Sequence, residues 1–143
     1  MSRPYIPKEL RLAIAELDKY RCAYCLSAEA LSGIALTFDH IIPLAAGGET
    51  TDDNLCLACH SCNGFKNVQV LRTDPQTGKS APLFNPRTQQ WLDHFRWDES
   101  GTQIEGITDI GRATVSALKL NNSLIVKART RWVMGGWHPP ADI

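Results

Sequence analysis

The run Thr37-Phe38-Asp39-His40-Ile41-Ile42-Pro43 is bracketed by two cysteine knuckles, Cys22-Ala23-Tyr24-Cys25 before it and Cys59-His60-Ser61-Cys62 after it. Two thiolates in one tight turn supply half a tetrahedron, so paired CxxC knuckles predict a structural zinc site. The insert between them carries an acid, a histidine, the turn Gly47-Gly48 and then Asn54-Leu55, and the second knuckle is followed directly by Asn63 and by Lys66. Cys56 complicates the ligand set, because Cys56-x2-Cys59 is also a CxxC and spacing alone does not choose between Cys56, Cys59 and Cys62. Lying between Leu55 and Leu57, Cys56 reads as a small hydrophobe inside a strand.

Outward from this centre, Pro7 opens a helix reaching to about Tyr20, with Leu10, Ala13, Ile14 and Leu17 at helical spacing. Leu36 to Ile42 reads as a strand rich in β-branched and aromatic residues and ended by Pro43. A loop over 45–53 precedes a short strand at Leu55-Cys56-Leu57, and a helix from about His60 to Val70 completes a ββα unit. Residues 72–79, Arg-Thr-Asp-Pro-Gln-Thr-Gly-Lys, have turn chemistry and predict a surface crossing. Phe95 to Trp97 and Gln103 to Ile107 read as a hairpin. Thr108 is placed to cap one helix, and Asn121-Asn122-Ser123 to end it and cap another, with Lys127 and Arg131 stacked four apart.

The 143 residues suit one domain-sized core, and no stretch approaches the ~18 apolar residues of a membrane helix. Five cysteines and no visible leader predict reduced, metal-binding thiols and a cytoplasmic protein. Formal net charge is zero, which speaks against very tight unspecific binding to nucleic acid. The charge is uneven: up to Cys62 there are eight acids against five bases, and after it ten bases against seven acids. Any phosphate-tracking surface is therefore expected mainly in the C-terminal half.

The ordered set Cys22, Cys25, Asp39-His40, Asn54, Cys59, Cys62-Asn63 and Lys66 resembles the core of the HNH endonucleases, the ββα-metal nucleases, over about residues 20 to 68. The family pattern puts the second cysteine pair immediately before the last Asn, which favours Cys22, Cys25, Cys59 and Cys62 as zinc ligands. The resemblance implies an α+β fold: a ββα-metal (His-Me finger) core stapled by four cysteines, with a small α/β C-terminal extension. On that reading residues 1–71 are the nuclease core with its N-terminal helix, and 72–143 a hairpin-plus-helices extension packed on the core as one unit. It also implies His40 as general base, Asp39 and Asn63 as ligands of a catalytic divalent ion, and Asn54 as the residue that fixes the loop and orients the histidine. Asparagine at position 63, where many members have histidine, makes this an HNN variant.

The chemistry agrees with the residue types. A histidine titrating near neutrality takes a proton from water. Hard oxygen donors suit magnesium or manganese better than a second zinc, and such an ion clamps a phosphate and steadies a leaving alkoxide. Neighbours on a strand face opposite ways, so Asp39 and His40 serve one site only where the strand bends or the site wraps its end. The partner implied is DNA and not a membrane, with Lys66 as a phosphate contact and Arg87, Arg112, Lys119, Lys127 and Arg131 as a clamp in the extension. The competing reading is a non-catalytic zinc-stabilised nucleic-acid-binding module. A zinc nucleobase deaminase is disfavoured, because His40 is followed by Ile41-Ile42 and Cys59 is preceded by Ala58, where that chemistry needs Glu and Pro.

Overall fold

The computed structural model describes residues 5–143; residues 1–4, part of the N-terminal run read for a leader, lie outside it. The chain divides into two compact units, Met1–Val68 and Gln69–Ile143. Both mix helices with short sheets, an α+β composition. Among the described residues no helix is long and apolar enough to cross a membrane.

The first unit starts with helix α1 (Lys8–Leu17), for which Pro7 is the N-cap rather than the first helical residue. The helix stops short of Tyr20 because Lys19 and Tyr20 both turn left-handed, each at φ 56°. Its buried residues are Ile14 and Ala15, while Ala13 and Leu17, expected on the apolar face, are exposed. The difference lies in what the helix rests on: Ile14 and Ala15 pack with Leu55 and Leu57 of the second strand, joined by Ile6, Leu10, Leu36 and Phe38, so the seam rotates away from 13 and 17. Asp18, at the C-cap, accepts the Leu57 N–H at 2.8 Å and fastens the helix end to that strand.

After the short helix α2 (Glu29–Ser32), strands β1 (Thr37–His40) and β2 (Leu55–Ala58) form an antiparallel pair, with Phe38 opposite Leu57 and Asp39 opposite Cys56. Alternation then puts Phe38 with the Leu55 and Leu57 core and turns Asp39 and Cys56 to the other face. Helix α3 (His60–Lys66) follows the second knuckle and is capped by the Cys59 sulfur, which accepts from the Cys62 N–H at 3.4 Å. It ends before the expected Val70 because Asn67 adopts φ 49°.

In the second unit the expected crossing at 72–79 is a hairpin, β3 (Leu71–Thr73) with β4 (Ser80–Pro82). Three-residue strands with β3 wholly exposed offer no alternation to read, so only the turn was visible beforehand. Asp74 organises that turn, its N–H bonding Lys79 O and its carbonyl accepting from Gly78, both at 2.8 Å. Helix α4 (Trp91–His94) leads into the hairpin of β5 (Phe95–Trp97) and β6 (Ile104–Gly106). Helix α5 (Asp109–Leu118) begins at Thr108, whose hydroxyl accepts from Gly111 N at 3.0 Å, and helix α6 (Ser123–Met134) begins at Asn122. Gly111 is required where α5 meets the hairpin: a Cβ there would lie 2.0 Å from His94 O. Phe84, Trp91, Phe95, Ile104, Leu118 and Leu120 are buried in this unit. Arg129 of α6 is buried too, bonding Thr102 O at 3.0 Å with its guanidinium 5.3 Å from the Trp97 ring centroid.

Candidate functional site

The two knuckles meet. The sulfurs of Cys22, Cys25, Cys59 and Cys62 all lie within 4.8 Å of one another. Four sulfurs at ~2.3 Å from a tetrahedral zinc stand about 3.8 Å apart, and Cys25 Sγ and Cys59 Sγ are separated by 3.8 Å. Backbone N–H groups point at the thiolates in both turns, Cys25 N to Cys22 Sγ at 3.5 Å and Cys62 N to Cys59 Sγ at 3.4 Å. Burial pushes the Cys22 thiol up and hydrogen bonding with Cys22 pushes Cys62 up, whereas hydrogen bonds with Cys22 pull Cys25 and Cys59 down. Thiols this close cannot all ionise without a cation among them. The cluster is thus compatible with a closed structural zinc site. Cys56 is outside it, fully buried in β2 with its sulfur 4.0 Å from Asp39 Oδ2.

Beside the cluster, the end of β1 opens onto a cleft of about 810 Å³ whose walls include Thr37, Asp39, His40, Asn63 and Asn67. Wrapping the strand end lets two neighbouring residues line one cavity although their side chains diverge. The His40 ring sits against the loop that follows, its Nε2 2.9 Å from Thr50 Oγ1. Burial lowers the imidazole pKa, and the nearby Lys66 charge lowers it further against the opposing pull of Asp39. The ring is therefore held toward its neutral, proton-accepting form.

Asn54 builds that loop. Its Oδ1 accepts the Ile42 N–H at 2.8 Å, and its Nδ2 donates to Ile42 O at 3.0 Å and Glu49 O at 2.8 Å. The clamp closes tightly over Gly48, where a Cβ would stand 1.7 Å from Ile42 O. Asn63, on α3, donates through Nδ2 to Thr37 Oγ1 at 2.9 Å.

Asp39 is the most enclosed of the set, only 4 % exposed. Tyr24, from inside the first knuckle, donates its hydroxyl to Oδ2 at 2.7 Å. Lys66 Nζ stands 3.0 Å from Oδ2 and 3.3 Å from Oδ1 and also donates to His40 O at 3.1 Å. Lys66, expected as a phosphate contact, stands at 1 % exposure as an interior ion-pair partner of Asp39. The chain geometry explains it, since α3 runs back past β1 and its last turn faces Asp39. As donors, the Asp39 carboxylate and the Asn63 amide oxygen suit a hard divalent ion.

The expected clamp residues belong to the second unit. Arg112, expected as a phosphate contact, is engaged by a buried acid, with Nε 3.0 Å from Asp74 Oδ1 and Nη2 2.9 Å from Oδ2. That guanidinium holds the Asp74 carboxyl down at about 2. Arg87 is half-buried in the turn after Asn85, Lys119 is exposed at the C-cap of α5, and Lys127 and Arg131 are exposed on α6. His60 is exposed, while His94 bonds Thr108 through Nδ1 at 2.7 Å and His138 is buried.

Residues 22–69 match the model of the HNH endonuclease family. The matched segment holds the four cysteines, Asp39, His40, Asn54 and Asn63, and points to a nuclease-type or nucleic-acid-binding module. Comparison with curated proteins and with solved structures gave no match. Sequence reasoning missed Tyr24, Thr37 and Thr50 in the HNH segment. Tyr24 had a signal, an aromatic residue inside a metal knuckle; a threonine in a polar loop has none.

Proposed function

We propose that the protein is a metal-dependent endonuclease that hydrolyses DNA phosphodiester bonds, with His40 as the general base. The observation that carries this reading is the placement of the His40 ring: it lines the cleft, is depressed in pKa, and is oriented from behind by Thr50. In the tautomer whose Nε2–H donates to Thr50 Oγ1, the neutral imidazole keeps its lone pair on Nδ1, which would take the proton from an attacking water. Asn54 keeps the loop carrying Thr50 in register with the strand end. Asp39 and Asn63 would hold one magnesium or manganese ion, which supplies charge neutralisation at the scissile phosphate and the leaving oxygen. Lys127 and Arg131, with Lys119 and Arg87, are proposed to contact the DNA backbone. The four-cysteine cluster keeps α3 and the strand pair together and has no open position for chemistry.

One observation favours the alternative of a non-catalytic binding module: both Asp39 oxygens already have partners. Cleavage separates the two. Supercoiled plasmid and branched DNA incubated with magnesium or manganese should be cut, and His40→Ala should lower the rate about 10²-fold or more with zinc content unchanged. Equal rates in wild type and His40→Ala would end the catalytic assignment of this histidine.

A further inference from the structure

We infer that Lys66 is the resident counter-ion of Asp39 and competes with the divalent ion for that carboxylate, so that ion binding drives the lysine from its buried seat. The inference rests on the proposed role of Asp39 as an ion ligand and adds the device that sets how readily the ion is taken up.

An ionised carboxylate offers about four lone-pair directions. Here Tyr24 uses one on Oδ2, and the ammonium straddles both oxygens at 3.0 and 3.3 Å. A divalent ion on the same carboxylate would place like charges side by side in a site where water screens little, because Lys66 is 1 % and Asp39 4 % exposed. The two cations therefore exclude each other.

The lysine also has somewhere to go. It is the last residue of α3, and Asn67 ends the helix at once with φ 49°. Asn63, Asn67 and Val68, its neighbours along the chain, line the same cleft as Asp39 and His40. A four-carbon stem rooted at this helix end can turn its ammonium into the cleft when the carboxylate is taken. There it would meet whatever anion the cleft holds. Its departure also removes the 3.1 Å bond to His40 O, so ion uptake and the backbone at the base are linked.

Lysine labelling on the intact, zinc-loaded protein tests this without a variant. An amine-reactive reagent read by mass spectrometry should modify Lys66 at least about tenfold faster with saturating manganese than without it, a change of the size ordinary for two linked binding events. Lys8 and Lys127 should react equally in both conditions. In parallel, manganese titration followed by electron paramagnetic resonance should show Lys66→Met binding the ion about tenfold or more tightly than wild type, and Asp39→Asn failing to bind. Bound manganese with unchanged Lys66 labelling would overturn the inference while leaving the nuclease reading in place. No manganese binding by wild type or by Lys66→Met would overturn both the ligand role of Asp39 and the competition built on it.

Discussion

Removing the metal from the four-cysteine cluster should unfold the first unit while the second stays folded. The first unit spans Met1–Val68, and the apolar cluster under α1 is small, Ile14, Ala15, Leu55 and Leu57 with four half-buried neighbours. A core in a unit below ~70–80 residues rarely supplies more than about 3–5 kcal/mol. A structural zinc contributes on the order of 10 kcal/mol or more, which exceeds everything else the unit has. The cluster also ties distant segments, since Cys25 and Cys59 are 34 positions apart and their sulfurs touch at 3.8 Å. Hydrogen exchange by mass spectrometry on the full chain, with zinc release monitored by a chromogenic chelator, reads the outcome directly. Peptides covering 22–66 should lose protection as zinc leaves, and peptides covering 84–118, around Phe84, Phe95 and Leu118, should keep it. Cys62→Ser should behave as the stripped protein, whereas Cys56→Ser should retain its zinc. Protection of 22–66 that survives complete zinc loss would refute the reasoning, as would zinc loss from Cys56→Ser.

Asn54→Ala strands the Ile42 N–H and two carbonyls, so a loss of about 2–3 kcal/mol in denaturant unfolding is expected, together with a fall in cleavage at unchanged zinc content. Asp74 has its pKa lowered to about 2 by Arg112, against 3.8 unperturbed. Its stabilising contribution is therefore complete above about pH 4 and lost as pH falls through about 2; melting curves of wild type and Asp74→Asn should converge there and separate at higher pH. Replacing Lys127 and Arg131 with Gln should weaken DNA binding and reduce the slope of log affinity against log salt by roughly one unit per contact, with little change in melting temperature because both side chains are exposed. An unaltered slope would move DNA binding to the first unit.

The cysteine knuckles, the ββα order and the list of polar residues around the strand end were legible because each rests on local chemistry. A CxxC spacing is a property of four consecutive residues, and so are the Thr108 and Asn122 caps, which lie where their side-chain oxygens reach N–H groups three residues on. The β3–β4 hairpin was not legible, since its short exposed strands carry no pattern. Nor was the face of α1, where seating on β2 chose Ala15 over Ala13 and Leu17. Long-range partnership is the common factor in the site as well. The sequence names Asp39, His40 and Lys66 as ionisable neighbours of a metal motif, but whether a lysine ends at a phosphate or inside against a carboxylate depends on the path of α3 past β1, which is a packing outcome. The same holds for Arg112 against Asp74, 38 positions apart. Residue type and spacing specify which chemistry is available; burial specifies which charges must find each other, and that is settled only when the segments meet.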